Sequence, residues 1–138
     1  MTKKVLTEAE LLAAPKALYM NEAQHQFFRQ RLLALRSQLL ENVRDTTEHL
    51  QATEAASDPS DRATQEEEQA VELRTRDRER KLLKKIDEAL ERITAGTYGF
   101  CKDTGEPIGI PRLLARPTAT LSVEAQDKRE RTQKQFSG

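Results

Sequence analysis

Asp58 and Asp61 stand three residues apart in a short break, Ser57-Asp58-Pro59-Ser60-Asp61, between two long stretches of helical periodicity. Two carboxylates on an exposed turn could hold one Mg²⁺ jointly with carboxylates of a partner, because Mg²⁺ often takes one or two side chains and leaves its other positions to outside ligands. The same residues also suit capping. Asp58 precedes Pro59 as an N-cap precedes a proline at the first helical position, and Asp61 follows at capping-box spacing. Both readings stand on the residues alone. His25 and His49 fall on a predicted helix, where a solvated or packed role is expected, and Cys101 is the single cysteine. It agrees with a reducing compartment and excludes an internal disulfide. Cys101 reads as a small buried or half-buried side chain, with a redox sensor as the alternative. No catalytic residues and no cofactor are expected.

The charges around this break are sorted by sign. From Glu54 to Glu68, six acids against Arg62 alone leave −5; from Arg74 to Lys85, seven bases against Asp77 and Glu79 leave +5. Helix dipoles and i to i+4 pairing reward such an order without any function. A basic run is commonly a solvated face. DNA-binding helices also look basic, but no aromatics interleave here and the acidic neighbour repels phosphate.

The elements that must position these residues follow from periodicity. From Asn21 to about Ala56 there is no Gly or Pro, and Phe28, Leu32, Leu35, Leu39, Val43, Thr46 and Leu50 recur three or four residues apart. A second helix is predicted from Arg62 to Ala95, with Leu73, Leu83, Ile86, Leu90 and Ile93 inward. The short break between them implies antiparallel packing, hence a coiled-coil hairpin of about 50 Å. Glycines and prolines crowd the stretch after Ala95, and Ser122 is placed to cap a last helix from about Val123 to Phe136. The expected fold is mainly α. An N-terminal segment (1–20) packs on a small knob (96–138), and the hairpin (21–95) carries its tip at 57–63. Leu11, Leu12 and Leu18 are expected to complete the knob's core.

Composition narrows the function. Of 138 residues, 33% are charged and 4% aromatic, and 23 bases balance 23 acids, so no overall field draws the chain to nucleic acid or anionic lipid. No apolar run approaches a membrane span or the core of a secretory signal. A cytoplasmic monomer without sequence-specific DNA binding is expected.

The hairpin, the tip DPSDRATQEEE, the shaft ELRTRDRERKLLKKID and the block YGFC…GEPIGIPRLLARPTA closely resemble the DksA family from about Tyr19 to Gly138. That resemblance implies a regulator whose hairpin enters the secondary channel of bacterial RNA polymerase. It would alter open complexes at ribosomal RNA and amino-acid promoters together with guanosine tetraphosphate. The pattern D-x-x-D-x-A, met by Asp58, Asp61 and Ala63, marks the implied effector tip. Arg78, Leu82, Lys85 and Arg116 match positions of the family's shared nucleotide and polymerase site, whose phosphates suit guanidinium and ammonium groups. Gln126 replaces a lysine usual in the family, which removes one phosphate partner.

The resemblance also implies a four-cysteine zinc ribbon at Cys101, Thr104, Ser122 and Ala125, but three of the four sulfurs are missing. Ser and Thr hydroxyls are not usual Zn²⁺ ligands and Ala offers none. Independence from zinc is expected. Hydrogen bonds from Thr104 and Ser122, packing of Cys101 on Ala125, and contacts from Ile108, Ile110, Leu113 and Leu121 would replace the metal. Two other functional classes compete: a factor stimulating transcript cleavage, which also uses an acidic tip, and a structural coiled-coil adaptor, for which the tip acids are dispensable.

Overall fold

The computed structural model describes residues 6–55 and 62–137. Thr7 starts α1 (Glu8–Ala13) by accepting the Glu10 N–H at 3.2 Å. Asn21 starts α2 (Glu22–Ala55) in the same way: its Oδ1 accepts from the Gln24 N–H at 2.9 Å, and Gln24 Oε1 reaches back to the Met20 N–H at 2.8 Å. These reciprocal bonds satisfy amides that a helix start leaves unpaired, so Gln24 can be buried.

α3 (Arg62–Ala95) ends where Gly96, at φ 80°, turns the chain so that Thr97 N–H meets Arg92 O at 2.9 Å and Gly96 N–H meets Ile93 O at 3.2 Å. That pairing closes the last carbonyls of the helix. α4 (Ile110–Ala115) and α5 (Val123–Ser137) complete the chain. Among the described residues there is no strand, only an isolated antiparallel bridge between Phe100 and Pro107.

Contacts group the chain into two units, Met1–Leu32 with Glu88–Gly138 and Leu33–Asp87, so the boundary falls inside both long helices. In the first unit Leu11, Phe28, Leu32, Tyr98 and Leu113 are almost wholly buried, and α1 lies against α4. Tyr98 sits 5.5 Å from the Phe28 ring and donates to Pro117 O at 2.7 Å, which satisfies its hydroxyl inside the core. Of the three leucines expected to join this core, Leu11 does, whereas Leu12 and Leu18 are 56% and 46% exposed. α1 is a single short amphipathic piece, so the residue after Leu11 points outward.

The second unit is an antiparallel helix pair. Arg36 meets Asp87 at 2.8 Å, Thr46 meets Glu79 at 3.3 Å and His49 Nδ1 meets Glu72, so rising positions on α2 pair with falling positions on α3. Leu39 and Ile86 are its buried apolar side chains among the described residues. Leu35 and Leu73, expected inward, are 41% and 54% exposed. Leu73 precedes Ile86 by thirteen residues, which turns it well over a third of a revolution from the inner line. Glu72 and Glu79 take inward positions instead, paired with His49 and Thr46 of α2.

Candidate functional site

The residues matching the family's metal positions converge in the first unit. A narrow turn brings Cys101 N–H to Glu106 O at 2.7 Å and Gly105 N–H to Cys101 O at 2.8 Å, while Lys102 N–H reaches Thr120 O at 2.8 Å. The last bond ties the turn to the chain entering α5. There the Ser122 hydroxyl accepts from Ala125 N–H at 3.2 Å, as an N-cap does. Cys101, Ser122 and Ala125 are buried, and Thr104 is exposed. Burial pushes the Cys101 thiol up, but the Thr104 hydroxyl and then the backbone N–H groups of Ser122, Thr104 and Asp103 outweigh it and bring the thiol down to about 6. The sulfur is thus held by hydrogen-bond donors.

This donor set does not fit zinc. One thiol, two hydroxyls already engaged in hydrogen bonds and a methyl group cannot supply four ligands. No group of three or more His, Cys, Asp or Glu suited to a metal occurs among the described residues. Ile108, Leu113 and Leu121 are buried around the turn, and Ile110 is half-buried.

Sequence reasoning missed Asp103 and Arg129. Arg129 Nε donates to Asp103 Oδ2 at 2.7 Å and its Nη2 donates to Oδ1, so one guanidinium grips both oxygens of one carboxylate. The pair joins the turn to α5. The two residues lie 26 positions apart, a separation at which no local pattern signals contact.

On α3, Arg78, Leu82 and Lys85 follow at steps of four and three and share one exposed face. Arg80 and Lys81 instead pair with Asp77 at 2.7 and 3.0 Å, and these bonds, the Arg80 contact foremost, hold the Asp77 carboxyl below the usual carboxylate range. Arg116 belongs to the other unit, where it ends α4 with its N–H on Arg112 O at 2.7 Å. Gln126 lies on α5 and donates to Glu130 at 3.0 Å. Ala63 is exposed in the first turn of α3. Asp58 and Asp61 lie outside the described residues, so their capping geometry does too. No described helix is long and apolar enough to cross a membrane.

Two family models match the chain: "DnaK suppressor protein DksA, N-terminal domain" over residues 24–93, and "Prokaryotic dksA/traR C4-type zinc finger" over residues 96–131. The chain is 54% identical over 117 residues to the RNA polymerase-binding transcription factor DksA of Caulobacter vibrioides, covering 84% of this chain and 82% of that one. It is 49% identical over 126 residues to the protein of that name from Escherichia coli K12, covering 90% and 83%. The solved structure of transcription factor DksA2 from Pseudomonas aeruginosa superposes with a TM-score of 0.87 at 50% identity, covering 93% of this chain and 99% of that one. Matched along both its long helices and its turn-rich segment, and sharing about half its residues with these proteins, the chain belongs to the DksA family.

Proposed function

We propose that this chain is a non-catalytic transcription regulator that binds RNA polymerase and changes the lifetime of promoter open complexes, with no requirement for zinc. The observation that carries this reading is its match, over most of its length, to proteins named RNA polymerase-binding transcription factors. The division of labour follows the sequence. Residues 21–95 form the probe that enters the secondary channel, while 96–138 and the segment 1–20 anchor it outside. Asp58, Asp61 and Ala63 act at the tip, near the polymerase active centre. Arg78, Leu82, Lys85 and Arg116 hold the phosphates and base of guanosine tetraphosphate at the shared interface, with Gln126 weakening that response. The chain acts as a cytoplasmic monomer.

Purified transcription from a ribosomal RNA promoter, with and without guanosine tetraphosphate, tests this. Inhibition that Asp61→Asn abolishes while polymerase binding persists supports the reading. Asn still caps a helix, so the substitution separates the channel role from capping. RNA cleavage in halted elongation complexes would favour a cleavage factor, and absence of polymerase binding a structural adaptor.

A further inference from the structure

In a four-cysteine ribbon a metal cation joins two short segments of chain, whereas the corresponding segments here, 101–104 and 122–125, offer one sulfur between them and cannot hold it. A different cation spans them. The Asp103 carboxylate stands on the turn of the first segment, and the Arg129 guanidinium, about one turn of α5 beyond the second, grips both of its oxygens. The hydrogen bond to Asp103 first, then the Asp103 charge and, after desolvation, that of the Cys101 sulfur act on Arg129 and raise it above its ordinary value. The guanidinium thus faces two groups of the turn, one of them the surviving sulfur of the family's metal positions.

The surroundings make this pairing selective. The positions three and four residues from Arg129, the ones within reach along a helix, are Ala125, Gln126, Thr132 and Gln133, so none of them is an acid. Glu130 accepts instead from Gln126 at 3.0 Å. The charges of Lys102 and Lys128 also favour the ionised Asp103, but among the described residues Arg129 is the side chain that holds it by hydrogen bonds. Lys102 N–H on Thr120 O and Arg112 Nε on Leu121 O, both at 2.8 Å, tie down the chain entering α5. Arg129 carries that tie into the second turn of the helix itself.

We propose that Arg129 is the positioning residue of the knob: its guanidinium stands in for the ribbon's metal ion as the cation that clasps the turn at 101–104 to α5, and so fixes the α5 face carrying Gln126 for its encounter with polymerase. The last step rests on the polymerase-binding reading above.

Hydrogen exchange of backbone amides in the full chain tests the clasp, for wild type, Arg129→Gln and Arg129→Lys at low salt. Gln removes the charge, and Lys keeps the charge without the fork. The Lys102 and Gly105 amides, bonded to Thr120 O and Cys101 O, report the turn, while the His25 amide, bonded to Asn21 O, reports the rest of the unit. In Arg129→Gln the turn amides should exchange roughly threefold faster or more, as for loss of a well-formed ion pair, with His25 unchanged and Arg129→Lys in between. Unchanged turn amides, or equal acceleration of all three, overturn the proposal. A chain rebuilt with Thr104→Cys, Ser122→Cys and Ala125→Cys is the second background. Once it holds one zinc, Arg129→Gln should leave its turn amides unchanged, and an undiminished effect there overturns the substitution for the metal; if it takes up no zinc, the first comparison decides alone. For the last step, the concentration giving half-maximal inhibition at a ribosomal RNA promoter, measured well below the melting temperature, should rise in Arg129→Gln and recover in part in Arg129→Lys. Faster turn exchange with unchanged inhibition overturns the positioning role. A wild-type chain that does not inhibit overturns the polymerase reading and leaves the exchange result standing.

Discussion

Asp103 and Arg129 form a two-pronged ion pair that bridges the turn around Cys101 to α5, the two segments that a zinc ion would hold together in a four-cysteine ribbon. Both oxygens of the carboxylate are engaged, chiefly through hydrogen bonds to the guanidinium, and the Asp103 carboxyl is held below its usual value. Because the folded value is depressed, the stability that this group contributes is present above the unfolded carboxylate value, about 3.9, and is lost as pH falls through the folded one. Asp103→Asn should therefore lower the Tm at pH 7 and make little difference once pH falls below the wild type's folded value. Raised salt should narrow the gap, since the pair is open to solvent. Thermal melts of both proteins across pH and salt check this, and identical melts at pH 7 would show the pair to be idle.

Cys101 should titrate in the folded protein near pH 6 rather than at its ordinary value of about 8.5. Thiolate absorbance near 240 nm reads the midpoint directly. Thr104→Val removes the largest of the favourable contributions, so the midpoint should rise in that variant. The linked stability is fully present above the unfolded thiol value and is lost as pH falls through about 6. A wild-type midpoint near 8.5 would mean that burial outweighs the donors around the sulfur.

Gly99→Ala should destabilise the first unit by roughly 1–3 kcal/mol, as overpacking does. An added Cβ would lie 2.6 Å from Met20 Cγ and 2.7 Å from its sulfur, and Gly99 has φ 93°. Gly96→Ala is the comparison, since a Cβ there meets nothing within 4 Å and only the positive φ of 80° opposes it. Denaturant unfolding of both variants should rank Gly99→Ala as the costlier change.

Chelation should leave the protein unaffected. Metal binding stabilises a zinc ribbon through its folding free energy, and a site with one sulfur among its four positions lacks that contribution. Elemental analysis should find no stoichiometric zinc, and the Tm should be the same in chelator and in added zinc. One tightly held zinc per chain with a collapsed Tm in chelator would refute this.

The residues alone determined the hairpin. Thirty-four-residue runs free of Gly and Pro, with a short break between them, leave few alternatives to two paired helices, because each apolar stripe needs a partner. Ser122 also announced its helix start, since capping depends on neighbours three residues away, whereas the Asn21 cap emerged from the structure. That three of the four positions matching the family's ribbon lack sulfur is likewise legible, because ligand chemistry belongs to residue types. Tertiary structure decided what periodicity blurs and what distance hides. Leu35 and Leu73 match a loose three-or-four spacing, yet helix geometry turns them out and brings Glu72 and Glu79 into the seam, beside His49 and Thr46. Asp77 draws Arg80 and Lys81 into pairs and leaves Arg78 and Lys85 without one among the described residues, a choice made by side-chain reach rather than by charge count. Asp103 finds Arg129 only because the turn and α5 fold against each other, and such long-range pairs carry no local signature in a chain so rich in charge.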